Sequence, residues 1–527
     1  MGIYLNPGAG KLQMSMNSEI YVDKSGMLAK LNRFINTEQR FVCVSRPRRF
    51  GKSMIANLMS AYYDHTVDGN IFEGMEIASA DSYSRHRGQY DVIKLNMQEF
   101  LSNGGDMTEL LDMLRAAICR ELKKTYPEAD YRFPGKLMFS MQDVYAMTKR
   151  QFVIIIDEWD CIFREKKNHK AEQDAYLDFL RDWLKDKEYV ALAYMTGILP
   201  IKKYGTHSAL NMFSEFSMLD QGIFAEYTGF TEAEVRHLCS RYGMDFEQTK
   251  EWYDGYRFEE CGSIYSPRSV VQAMLMRKFS NYWNQTETFE ALRFYIDMDF
   301  DGLREAVLSV MAGGRPEIDA RSFVNDMETF QTADDVLTLL VHLGYLGYDF
   351  PAGEIYLPNK EIMDEFITAT TVSKWSEIMK SVKASKAILT ATLEGDAQAV
   401  AEGVGKAHLE MSHLQYNDEN ALAYTVSLAY YAARQQYVML RELPTGKGFA
   451  DLVFIPKKRF GHLPAIVAEL KWNHGADTAI SQIKRKEYPQ VISDWGAGEM
   501  ILVGISYDRK SRQHGCVIER VMHHDRK

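Results

Sequence analysis

The sequence predicts a multidomain α/β protein, with a P-loop parallel-sheet domain first, a helical and winged-helix-like middle, and a second α/β domain at the C-terminal end. Three observations predict it. Gly51-Lys52-Ser53 follows a short apolar run and opens a helical pattern; the isoleucine-rich run Phe152 to Ile156 ends in Asp157 and Glu158; and two strand-like segments near the end of the chain carry Asp451 on one and Glu469 with Lys471 on the other. At 527 residues the chain is too long for one core, and an allowance of about 150 residues per domain divides it into several units. The patterns place the divisions at 1–230, 231–385 and 386–527.

Phe41 to Val44 reads as a strand, the next residues as a polar turn, and the stretch from Ser53 as a helix. Such a strand, loop and helix holds phosphate on backbone N–H groups and on a helix N-terminus. Lys52 would neutralise charge and Ser53 would bind Mg²⁺ of a bound ATP. Arg46 stands where the first glycine of the usual pattern belongs, five residues before Gly51, and the loop runs Arg46-Pro47-Arg48-Arg49-Phe50. Arg46, Arg48 and Arg49 are expected to add phosphate contacts, with Phe50 and Gly51 completing the loop.

A run such as Phe152 to Ile156 suits a parallel strand buried on both faces. Its C-terminal end is where open α/β sheets place their chemistry. Asp157 would hold the Mg²⁺ shell and Glu158 would orient or deprotonate the attacking water; the plainer alternative is a core strand ending in a solvated acidic turn. Asp91 to Asn96 and Tyr189 to Gly197 read as further strands of the same sheet, connected by helices in right-handed βαβ units. Thr196 ends the latter as either a sensor of the γ-phosphate or a hydroxyl capping the next turn.

Phe449 to Pro456 and Pro464 to Trp472 form a hairpin candidate around the polar turn KKRFGHL. Asp451 and Glu469 share an index sum of 920, which centres the hairpin on Phe460 and sets the two carboxylates opposite each other. Strand alternation puts Lys471 on the face of Glu469. Adjacent carboxylates repel when both are ionised, and Mg²⁺ relieves that repulsion while accepting hard oxygen ligands. Asp451 and Glu469 would be its ligands, with the Leu470 carbonyl a third, and Lys471 would polarise the attacking water or steady developing charge. A surface hairpin with an ordinary Glu-x-Lys pair is the alternative. Glu419, near the start of a helical pattern through Ala433, is a further candidate metal ligand; Gln482 could position the water or a phosphate, and Lys484, Arg485 and Lys486 give the following helix a basic face.

Composition narrows the class. No stretch approaches the roughly 20 apolar residues of a membrane span, the first residues lack a basic region followed by an apolar one, and the six cysteines are scattered without a C-x-x-C pair. A cytoplasmic protein is expected, without membrane association. The net charge of −10 gives no general attraction for nucleic acid, so local basic patches must hold any polyanion.

Taken together, SRPRRFGKS, IIIDEWD, Asn211 to Phe216, WYDGYRF from Trp252 to Phe258, and GKGFADLVF with ELKW resemble the bacterial AAA-ATPase-like proteins that carry a C-terminal PD-(D/E)xK nuclease domain. The resemblance implies an AAA-like ATPase core, a helical lid and winged helix, and a restriction-endonuclease-like end, with ATP and Mg as cofactors and nucleic acid, DNA ahead of RNA with the choice between them left open, as partner. It maps the ATP site to Gly51, Lys52, Ser53, Asp157 and Glu158 and the nuclease motif to Asp451, Glu469 and Lys471. Ser266-Pro267-Arg268-Ser269 departs from the Asn-Pro-Trp-Ser of similar sequences. A homo-oligomer is an open expectation, because AAA-like sites often borrow an arginine from a neighbouring subunit. A role in defence or in mobile-element biology is an association of such proteins. The competing reading is a nucleotide-controlled binding or switch protein whose nuclease fold is non-catalytic, supported by the missing loop glycine and the acidic balance. WYDGYRF is expected to be a packed aromatic turn rather than a base-stacking platform.

Overall fold

The computed structural model describes the chain except for residues 1, 167–168, 202–209, 284–287, 299, 312–313, 322, 324–329, 373–375, 411–421, 423–425, 428, 431, 434–435, 445–448, 458–459, 487–498 and 523–527. It divides into two compact units, Met1–Arg304 with Pro316–Phe366 and Glu305–Arg315 with Ile367–Lys527. Most of the segment expected at 231–385 thus groups with the P-loop sheet, and its last residues group with the C-terminal sheet.

The first unit is built on a sheet of five parallel strands, β1 (Phe41–Ser45), β2 (Asp91–Asn96), β3 (Phe152–Asp157), β4 (Val190–Gly197) and β5 (Ser214–Phe216), in the order β2-β3-β4-β1-β5. Every residue of β1, β3 and β4 is buried, which is why these strands read as continuous apolar runs rather than as alternation. One face packs on Leu114, Ile118 and Trp183, the other on Leu58, Met59 and Tyr62 of the helix Lys52–Tyr63. Because β4 lies between β1 and β3, the loop after β1 and the carboxylates after β3 flank the same strand end.

Further along the unit, β6 (Phe230–Thr231), β7 (Tyr256–Phe258) and β8 (Gly262–Tyr265) make a small antiparallel sheet among helices. The helix Glu232–Tyr242 starts in a capping box between Thr231 and Glu234. WYDGYRF is a packed turn: Tyr253 and Tyr256 are buried, and Tyr256 Oη donates to the Gly344 carbonyl at 2.6 Å. After the helix Ala333–Leu343 comes the antiparallel hairpin β9 (Gly347–Asp349) and β10 (Glu354–Tyr356), the helix-plus-hairpin order expected of a winged helix.

The second unit holds a mixed sheet, β11 (Tyr437–Pro444), β12 (Phe449–Pro456), β13 (Ala465–Trp472), β14 (Glu499–Asp508) and β15 (Gln513–Met522), with strands in sequence order. Only β13 and β14 are parallel, and the helix Ala476–Arg485 lies in the connection between them. Side chains alternate between two cores. Leu452, Ile466, Ala468 and Val503 join Ile388 and Val400 on one face, while Val453, Val467 and Leu502 join Ile480 and Ile483 on the other. All six cysteines are free. Among the described residues no helix is long and apolar enough to cross a membrane.

Candidate functional site

The loop after β1 ends at Gly51, which caps the helix Lys52–Tyr63 with φ 87°, a left-handed conformation that glycine adopts without strain. Lys52, Ser53, Arg48, Arg49 and Phe50 line a cavity of about 860 Å³. Its walls carry six cationic side chains, Lys24, Arg48, Arg49, Lys52, Arg164 and Arg268, against two carboxylates, Glu158 and Glu165. In a chain of net charge −10 this is a local reversal of sign, the field an anion requires. Lys52 is 4% exposed and donates to the Pro47 carbonyl at 2.9 Å. Burial pushes its pKa down, and the carboxylates of Glu158, Asp160 and Asp157 oppose that shift.

Arg46 corrects one expectation. Its side chain is fully buried, and its Nη1 donates to the carbonyls of Ser45 at 2.8 Å, Phe216 at 2.9 Å and Ser217 at 3.1 Å, with Phe258 under the guanidinium. The residue in place of the glycine therefore pins the loop to the end of β5, and it is absent from the cavity wall. The Phe50 ring also serves packing, edge-on to Tyr256 at 5.1 Å, while its carbonyl accepts from Gly229 N–H. Arg49 has φ 70° and donates to the Tyr282 carbonyl at 3.0 Å.

At the end of β3, Asp157 is 3% exposed and pairs across the sheet with Asn96 and Thr196. Thr196 Oγ1 donates to the Val44 carbonyl at 2.8 Å, so its hydroxyl ties β4 to β1. Glu158 takes the left-handed conformation, φ 53°, uncommon for a side chain of this kind. The turn is held by Trp159, whose N–H donates to the Thr196 carbonyl and whose ring is fully buried against Phe163. Glu158 lines the cavity; burial pushes its pKa up, and Lys52 opposes the rise. Sequence reading missed Arg164, whose Nη2 bonds Glu158 Oε2 and whose Nε lies 3.1 Å from Asp160 Oδ2. The i,i+4 spacing of Asp160 and Arg164 was the available signal.

In the second unit the β12–β13 register is Leu452–Ala468, Val453–Val467 and Phe454–Ile466, each pair with the index sum of 920 read from the sequence. The paired register ends at Leu452–Ala468, and Asp451 and Glu469 are the next residues beyond it on their strands. Asp451 Oδ2 accepts from Leu470 N–H at 2.7 Å. Glu469 is 1% exposed; its Oε1 accepts from Lys471 Nζ at 3.3 Å and from the Gln482 amide. Gln482 thus comes in from the helix that covers this face, and Lys471 Nζ also donates to the Leu470 carbonyl at 3.0 Å. Burial pushes the Glu469 pKa up to about 7, with Asp451 adding to the rise. Its Oε2 is buried without a hydrogen-bond partner.

That last atom is the test of fit for a metal. A buried carboxylate oxygen that finds no donor, beside a second carboxylate, matches the hard-oxygen donor set of Mg²⁺. Asp451 and Glu469 are the residues that would hold it. Glu419 lies outside the described residues, and among those described no group of three or more His, Cys, Asp or Glu could hold a metal ion. Lys484 pairs with Glu519 at 2.5 Å; together with Arg485 and Lys486 it forms the basic end of the Ala476–Arg485 helix and the turn after it.

Two family models match parts of the chain. Residues 12–206 match the model of a predicted AAA-ATPase domain, and residues 418–516 match the PD-(D/E)XK nuclease superfamily. No curated protein sequence matches the chain. Among solved structures, the Aeropyrum pernix ORC2 protein in its ADPNP and ADP complexes is 12% identical, with 68% of this chain and 98% of that chain covered and a TM-score of 0.31. The Aeropyrum pernix ORC1 protein in complex with DNA is 12% identical, with 72% and 100% covered and a TM-score of 0.24. Both likenesses are too weak to carry an argument.

Proposed function

We propose that this chain, in which a predicted AAA-ATPase domain precedes a PD-(D/E)XK nuclease domain, binds and hydrolyses ATP and cuts nucleic-acid phosphodiesters, DNA in preference to RNA, with Mg²⁺. The observation that carries the reading is the buried, unpartnered Glu469 Oε2 beside Asp451, with Lys471 and Gln482 on the opposite oxygen. Mg²⁺ bound there would supply Lewis-acid polarisation of the phosphodiester and a water of lowered pKa. The chain's own groups do the rest. The Leu470 N–H fixes Asp451, Gln482 and Lys471 fix Glu469, and the Lys471 ammonium steadies negative charge as it develops. At the other site Lys52, Arg48 and Arg49 would meet the phosphates, Ser53 and Asp157 would hold the Mg²⁺ of the nucleotide, and Glu158 would orient the attacking water.

A switch protein with a non-catalytic nuclease fold is favoured by one contact, that of Lys471 Nζ with the Leu470 carbonyl expected as a metal ligand. Plasmid DNA incubated with the full chain, Mg²⁺ and ATP separates the two readings. Cleavage by the wild type that falls by at least about a hundredfold in Asp451→Ala supports the nuclease. Intact plasmid with the wild type, with and without ATP, supports the switch.

A further inference from the structure

We infer that Arg164 is a positioning residue for ATP hydrolysis, holding one oxygen of Glu158 so that the other faces the nucleotide cavity. The inference rests on the ATP-hydrolysing reading above and deepens it. Arg164 is 10% exposed at its side chain, lines the cavity, and lies in the short helix Cys161–Glu165 directly after the β3 turn. Its guanidinium presents a fork, and the fork is filled from two sides: Nη2 bonds Glu158 Oε2 and Nε bonds Asp160 Oδ2. Glu158 Oε1 has no hydrogen-bond partner among the described residues, and its side chain is on the cavity wall.

Asp160 makes the arrangement rigid. It is fully buried, and its Oδ2 also accepts the N–H groups of Ile198 at 3.1 Å and Leu199 at 2.9 Å, immediately after β4. Gly197 belongs to the same construction, because a Cβ there would come within 2.3 Å of Asp160 Oδ1. A line of contacts therefore runs from the end of β4 through Asp160 and Arg164 to Glu158. The left-handed backbone of Glu158 directs its side chain onto that line, an unusual conformation that the surrounding bonds impose.

The charged groups facing Glu158 are Lys52 from the helix after the phosphate loop, Asp157 and Asp160 from its own turn, and Arg164. Bound triphosphate draws Lys52 toward its own charge, which leaves Arg164 as the cation assigned to Glu158. A lysine in its place carries the charge but not the two-pronged geometry.

The test compares steady-state ATP hydrolysis and ATP binding in the full-length wild type, Arg164→Gln and Arg164→Lys. The expected result is a kcat lower by about ten- to a hundredfold in Arg164→Gln, a loss of ATP affinity several times smaller than that loss of kcat, and Arg164→Lys between wild type and Arg164→Gln in kcat. Because Arg164→Gln also removes a partner of Asp160, its folding is checked by thermal unfolding, and Arg164→Lys decides the matter if the glutamine variant does not fold. Unchanged kcat in a folded variant, or a loss of ATP affinity that accounts for the whole loss of activity, overturns the inference while leaving ATP hydrolysis standing. A wild type that binds ATP without turning it over overturns both.

Discussion

The two candidate sites are electrostatic opposites. Around the phosphate loop, cations outnumber carboxylates on the cavity wall, and Glu158 and Asp160 are already matched by Arg164. At the β12–β13 hairpin two carboxylates lie close together, with Lys471 beside them. Asp451 stands beside a Glu469 that burial and its neighbour hold near a pKa of about 7, and one Glu469 oxygen has no donor. On the proposed function the first site receives an anion and the second a cation. An acidic chain can thus serve a polyanionic substrate: the sign that matters is the local one, within about a Debye length, of roughly 10 Å.

The contrast can be broken at either end. The largest expected effect is at the anion site, where Lys52→Ala removes a buried ammonium from the phosphate loop. ATP affinity should fall by about a hundredfold, read by fluorescence titration with a labelled nucleotide; affinity within twofold of wild type would mean that the arginines, not Lys52, hold the phosphates. Next comes the strut behind Glu158. Gly197→Ala forces a Cβ onto Asp160 Oδ1 and should cost about 2 kcal/mol in urea unfolding. Because Asp160 then shifts, ATP turnover should drop along with stability; a stability loss with full turnover would detach the strut from catalysis.

A smaller effect distinguishes the cation site. Glu469 holds its proton up to about pH 7 when folded and releases it near the ordinary 4.5 when unfolded, so the folded state binds more protons between those values. In EDTA, stability should therefore fall as pH rises from about 4.5 to 7 and level off above. Glu469→Gln should remove that slope, and millimolar Mg²⁺ should flatten it in the wild type by displacing the proton. An equal slope in wild type and variant would assign the titration elsewhere.

Local features were legible in the sequence. The β12–β13 register follows from strand alternation about a short turn, and the same logic set Lys471 on the face of Glu469. Gly51 at the head of its helix and the carboxylates at the end of β3 follow from the order of apolar run, turn and helix. What escaped depends on distant chain. Arg46 reads as one more loop arginine until β5 supplies the Phe216 and Ser217 carbonyls, some 170 residues away. Arg164 reads as an ordinary i,i+4 partner of Asp160, because its reach to Glu158 depends on a left-handed residue that nothing in Asp157-Glu158-Trp159 announces. The unit boundary at Phe366 was likewise hidden, because it falls inside the helix Lys360–Val372 rather than in a linker.

The most direct measurement is Mn²⁺ binding to nucleotide-free protein, followed by the loss of the free-ion electron paramagnetic resonance signal. A carboxylate pair that needs a cation predicts one site in the wild type, weakened at least about tenfold in Asp451→Asn and in Glu469→Gln, and unchanged in Lys52→Ala. Wild-type affinity in both hairpin variants would contradict the account, since whatever ion then bound would not be held where the two strands bring their carboxylates together.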